Sequence, residues 1–108
     1  MLRAQPPKRA AVLLETVLAC KWSLTVYQLI DAGTKRPGAM ERSVEGLSAK
    51  VLNDCLRRNV TLGILAKESF PEIPPRVEYE FTPLGRRFRK ILTAVADVQA
   101  ELERDGQG

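Results

Sequence analysis

PEIPPRVEYEFTPLGRRF, from Pro71 to Phe88, is the stretch on which the fold turns. Val77, Tyr79 and Phe81 alternate with Arg76, Glu78 and Glu80, the period of a half-buried β-strand. Ahead of it stand Pro71, Pro74 and Pro75, which fix φ and donate nothing to a ladder, so the segment before Arg76 is a stiff loop and not a central strand. Behind it, Thr82-Pro83 is a helix start. The threonine oxygen can accept from an orphan N–H, and proline is tolerated at the first helical position. The stretch therefore predicts loop, strand, sharp corner and helix.

Working outward, Ile64, Leu65 and Ala66 begin a strand that ends near Phe70, and two antiparallel strands joined by a proline-braced loop make a β-ribbon. Upstream, Ser48 is a good N-cap for a helix whose apolar stripe is Val51, Leu52, Cys55, Leu56 and Val60, closed by Gly63. Before that come a turn over Thr34–Pro37, a short helix from Pro37 to about Glu45 with a stop at Gly46, and a helix from Lys21 or Trp22 to Ala32 closed by Gly33. Val12, Leu13, Val17 and Leu18 share one face of a first helix over about residues 8–19. The last helix runs from Pro83 to about Arg104, with Leu84, Phe88, Ile91, Leu92, Val95, Val98 and Leu102 along one seam. The expected order is α-α-α-α-β-β-α, mainly α with a small β-ribbon (α+β). Residues 1–8 are expected to be a flexible arm, 9–104 the folded domain and 105–108 a flexible tail.

The 108 residues, 44% hydrophobic and 28% charged, suit one domain with one core. With no histidine and only Cys20 and Cys55, a structural zinc site is nearly excluded, as are the commonest general base and the triads built on it. No glycine-rich loop that would cradle phosphate is present, so neither an enzyme nor a cofactor is expected. No apolar run is long enough to span a bilayer, and Glu15 interrupts the apolar N-terminal stretch, which reads as cytoplasmic with no membrane partner. The net charge of +4 and pI near 9.4 permit a polyanionic partner without requiring one.

The chemistry concentrates on the helix after Ser48. Opposite its apolar stripe lie Ala49, Lys50, Asn53, Asp54, Arg57 and Arg58, and Lys50, Asn53 and Arg57 share a face at i, i+3, i+7. Such side chains hydrogen-bond base edges, lysine or arginine to guanine and asparagine to adenine. A short helix and a glycine-containing turn precede this one, the parts of a helix-turn-helix; the following ribbon makes it a winged helix-turn-helix. In that reading Ser48, Ala49, Lys50, Asn53 and Arg57 face the major groove, and Lys35, Arg36, Arg58, Lys67 and Arg76 face phosphates. The prolines hold the ribbon's cations in place without a large ordering cost. The surplus apolar length of the last helix, together with the first helix, predicts a symmetric dimer through the terminal helices. Two other readings stay open. The polar face is also compatible with a solvated helix surface, and the whole with a protein-interaction module that does not touch DNA. Arg86, Arg87, Arg89 and Lys90 are read as solvated surface, and Cys55 as buried behind the reading helix.

These residues resemble the HxlR family of winged-helix regulators, relatives of the MarR type. The resemblance is carried by Lys21-Trp22, by Gly46-Leu47-Ser48 with Lys50 and Leu52, by Leu56-Arg57, by Gly63-Ile64, and above all by the P-x-x-V-E-Y-x-x-T-x-x-G pattern within Pro71–Phe88. It spans about residues 9–92 and implies a homodimer that binds double-stranded DNA at a short pseudo-palindromic operator and regulates a nearby promoter. It also implies, for many members, a response to electrophiles or oxidants through a cysteine near the start of the first helix. Here that position holds Arg9 or a neighbour, and Cys20, where glycine is usual, is the remaining redox candidate. Asn59 stands where the family places a core leucine, Leu62 where it places an acidic residue, and Pro37 where it places a phenylalanine.

Overall fold

The alternation from Arg76 to Phe81 forms a strand over those six residues, paired antiparallel with Leu65–Phe70. A computed structural model describes residues 21–107. Over them the elements are α1 (Ser23–Asp31), α2 (Pro37–Ser43), α3 (Ala49–Thr61), β1 (Leu65–Phe70), β2 (Arg76–Phe81) and α4 (Pro83–Gln107). The arm and the first helix expected before Lys21 lie outside the described residues, as does Cys20.

The core sits where α1, α3, α4 and the base of the ribbon meet. Val26, Tyr27 and Ile30 of α1, Met40 of α2, Leu52, Cys55 and Leu56 of α3, and Phe88 and Leu92 of α4 close on Ile64, Leu65, Tyr79 and Phe81. Each fully buried large apolar side chain contributes about 1.5–3 kcal/mol relative to exposure. Leu47, just before the Ser48 cap, is buried and staples the turn between α2 and α3 onto this core.

Three boundaries differ from expectation. Trp22 caps α1 instead of lying within it. α2 ends at Ser43, whose hydroxyl donates to the Ala39 carbonyl at 2.8 Å, and β-branched Val44 is already extended at φ −132°. α4 continues past Arg104 to Gln107, so most of the tail expected from 105 is helical; the segment after Arg104 has no proline to stop the helix.

The corner between β2 and α4 is locked by Thr82. Its Oγ1 accepts from the Gly85 N–H at 2.9 Å, which is the helix cap, and donates to the Gly63 carbonyl. The Thr82 N–H donates to the Ile64 carbonyl at 3.0 Å. One residue thus joins the end of α3, the root of the ribbon and the start of α4.

Candidate nucleic-acid interface

Ser48 is extended at ψ 159°, and its Oγ accepts from the Val51 N–H at 3.2 Å, the expected cap, worth about 1 kcal/mol. At 100° per residue the buried set Leu52, Cys55, Leu56 and Asn59 centres on one side of α3. Lys50, Asp54 and Arg57 fall on the far side, with Asn53 and Arg58 flanking and all but half-buried Asp54 exposed. Val51, expected in the apolar stripe, lies about 90° from its centre and is 41% exposed. Lys50, Asn53 and Arg57 thus form one outward surface, with Ser48 and Ala49 exposed at the N-terminal end of the helix.

Asp54 is central to that surface. Its Oδ2 lies 3.2 Å from Lys50 Nζ and its Oδ1 3.1 Å from Arg57 Nη2. Pairs this exposed are worth a few tenths of a kcal/mol, so they pre-position both cations yet yield readily to a stronger anion.

Asn59, the polar residue in a core position, is 1% exposed and fully engaged. Its Oδ1 accepts from the Tyr27 hydroxyl, and its Nδ2 donates to the Cys55 carbonyl at 2.9 Å and to Ser23 Oγ at 3.3 Å. The amide pins α3 to α1 by direction as well as by contact, where leucine would supply contact alone. Leu62 is half-buried against the core.

The ribbon separates the phosphate-facing candidates. The register sets Lys67 opposite Tyr79 and Arg76 opposite Phe70. Directly opposed residues share a face and faces alternate along the strand, so Lys67 and Arg76 stand on opposite faces. Lys67, with Tyr79, is on the face towards α3. Arg76 is held on the other, its guanidinium 4.0 Å over the Phe70 ring and 3.1 Å from Glu72 Oε2, with Nε 3.6 Å from Glu78. It braces the stiff loop; its charge is already met. Arg36 reaches Glu78 at 3.6 Å, and Lys35 binds Glu80 while its carbonyl accepts from the Tyr79 N–H at 2.9 Å. The segment before α2 therefore runs along the outer edge of β2. Burial pushes the Glu80 carboxyl up, but the Lys35 hydrogen bond, the Phe81 N–H and the nearby charges of Lys35 and Arg86 outweigh it and hold the group below its usual range. Lys35 is correspondingly raised by the Glu80 hydrogen bond and charge. Of the cations expected on phosphate, Arg58 and Lys67 are exposed with no carboxylate partner among the described residues, whereas Lys35, Arg36 and Arg76 are ion-paired.

A short helix, a turn, a capped reading helix with its polar side outward and an antiparallel ribbon docked beside it define a winged helix-turn-helix protein. Residues 17–105 match the family model described as HxlR-like helix-turn-helix, and the chain belongs to that family. Among curated relatives, it is 40% identical over 75 residues to the HTH-type transcriptional regulator sll1512 of Synechocystis sp., covering 69% of this chain and 56% of that protein. It is 32% identical over 77 residues to the HTH-type transcriptional regulator YtfH of Escherichia coli, covering 71% and 61%. The matched region thus spans less than two thirds of each of these relatives. Among solved structures, a MarR-family transcriptional regulator from Enterococcus faecalis V583 superposes with TM-score 0.78 at 30% identity over 99% of this chain and 96% of that one. The redox regulator HypR in its oxidized form superposes at TM-score 0.74 and 27% identity, covering 85% and 95%.

Proposed function

We propose that this chain is a sequence-specific, DNA-binding transcriptional regulator that acts as a homodimer on a pseudo-palindromic operator. The observation that carries the reading is the outward surface of α3. A capped helix buries one side and presents Lys50, Asn53 and Arg57 on the other, with the ribbon root beside it. The names of the curated relatives, HTH-type transcriptional regulators, support it. Ser48, Ala49, Lys50, Asn53 and Arg57 enter the major groove, and Arg58 and Lys67 meet phosphates. Lys35, Arg36 and Arg76 keep the ribbon at its angle through their carboxylates, and any phosphate they meet is shared with those partners.

The dimer is formed through α4. Ile91, Val95, Val98 and Leu102 follow one another at steps of four, three and four and are all well exposed. This is the spacing of a seam that packs against a second helix. The first helix expected from the sequence, which lies outside the described residues, is proposed for the same interface. The working compartment is the cytoplasm, and no helix among the described residues is long and apolar enough to cross a membrane. An electrophile or oxidant signal, if the chain takes one, is assigned to Cys20, outside the described residues; HypR, described as a redox regulator, supplies the analogy.

The test is selection from a random duplex pool. The wild type is expected to enrich a two-fold symmetric site. Asn53→Ala should lose discrimination at one base pair per half-site, a change of about 1–3 kcal/mol, while keeping its affinity for random duplex. The second reading, a protein-interaction module, draws on the acidic outer face of the ribbon, where Glu68 and Glu78 are directly opposed and Glu80 lies beside them. A pool that yields no enriched site would favour it.

A further inference from the structure

Between α3 and the ribbon lies a cleft of about 380 Å³ lined by Asn53, Arg57, Val60, Lys67 and Tyr79. Four of the five lining residues carry hydrogen-bond donors: an amide, a guanidinium, an ammonium and a phenol. No carboxylate lines it. That is unusual on this surface, since Asp54 sits on the outer side of α3 and Glu68, Glu72, Glu78 and Glu80 belong to the other ribbon face or to the loop.

Tyr79 reads from the sequence as a core residue only, and its ring is one: the residue is 8% exposed. Among the described residues, however, its hydroxyl makes no hydrogen bond, and it lines the cleft. Lys67 stands directly across the ladder from it on the same face, and likewise has no ion-pair partner among the described residues. Arg57 is near enough that its charge opposes the rise in the phenol's pKa caused by burial. A buried phenol, an unpaired ammonium and a guanidinium whose exposed pair with Asp54 yields readily line one concavity and can form a receptor for an oxyanion. The position selects among oxyanions. The cleft lies between α3 and the ribbon, and on the DNA-binding reading above the backbone of a bound duplex passes there.

We propose that this cleft seats one backbone phosphodiester of the bound DNA, with Tyr79 donating a hydrogen bond to a non-bridging oxygen and Lys67 and Arg57 meeting its charge. On this proposal Arg57, assigned above to the major groove with Lys50 and Asn53, reaches it only at its edge as a phosphate clamp and leaves base reading to those two. The inference rests on the DNA-binding reading above and deepens it. Tyr79 ties the wing, and hence the register of α3, to the phosphate rail.

The test measures wild type, Tyr79→Phe and Lys67→Ala on random and selected duplexes across a salt series, with thermal melting to confirm that each variant folds. Tyr79→Phe keeps the ring and removes only the hydroxyl. It should bind both duplexes about a hundredfold more weakly, because one hydrogen bond to a charged group is lost in each half-site, with the salt slope unchanged because no charge is removed. Lys67→Ala removes one cation from each half-site, so it should reduce the slope for the dimer by about two and leave base preference intact. In a selected duplex carrying a neutral methylphosphonate at successive positions, one position per half-site should weaken the wild type and cost Tyr79→Phe little more. Wild-type affinity in a folded Tyr79→Phe, or strict additivity at every methylphosphonate position, overturns the assignment and leaves DNA binding standing. Failure of the wild type to bind any duplex at low salt overturns both.

Discussion

Replacing Gly85 by alanine should lower the melting temperature by more than about 12 °C. A Cβ built there lies 2.0 Å from the Ile64 carbonyl oxygen and 3.0 Å from its carbon, backbone atoms that no rotamer change can move aside. Ile64 itself cannot retreat. Its carbonyl accepts from the Thr82 N–H at 3.0 Å and Oγ1 at 3.2 Å, and its N–H donates to the Asn59 carbonyl at 3.0 Å. Relief means separating α4 from the ribbon root, at a cost of roughly 3 kcal/mol or more. For a domain of this size each kcal/mol corresponds to about 4–8 °C. Gly106→Ala is the control: nothing lies within 4 Å of a Cβ there, so melting should not fall. Differential scanning calorimetry of the two variants decides. A Gly85→Ala protein that melts with the wild type would mean that the close approach of α4 to Ile64 is not the packing in solution.

Val98→Glu combined with Leu102→Glu should leave each subunit folded and remove the dimer. The two side chains are 52% and 59% exposed in the single chain, so the substitution does not disturb the subunit core. Across a two-fold axis it would bury four carboxylates against one another and against apolar surface, which neither solvation nor pairing offsets. Sedimentation should show a monomer at micromolar concentration with unchanged circular dichroism. Affinity for the selected site should fall at least about a hundredfold, because the second reading head no longer binds as an intramolecular event. A double variant that still sediments as a dimer would move the interface away from this seam.

The parts of the fold that were legible in the sequence are those written locally. The alternation of Val77, Tyr79 and Phe81 gives both bounds of β2, Ser48 and Thr82-Pro83 mark the helix starts, and Gly63, at φ +84°, ends α3 where only glycine is comfortable. What could not be read depends on partners distant in the chain. Asn59 looks misplaced until Tyr27 and Ser23, 32 and 36 residues earlier, come to meet it. Lys35 and Arg36 look available for phosphate until β2 brings Glu80 and Glu78 alongside. Arg76 and Lys67 look like equivalent wing cations until the register places them on opposite faces, one answered by carboxylates and one not. The period of a strand reveals which residues share a face within it. It does not reveal which face turns to α3, and that choice decides which cation is left without a carboxylate partner beside it.

If α3 lies against the duplex with its Lys50–Asn53 side inward, a photocrosslinker on that side reaches the bases. With benzoylphenylalanine at position 53, irradiation of the protein bound to its selected duplex should join the chain to bases within each half-site. The same group at position 99, exposed on α4 sixteen residues past its start, should give no DNA adduct. A position-53 protein that binds the duplex with no adduct, or adducts at position 99 in equal yield, would contradict the account.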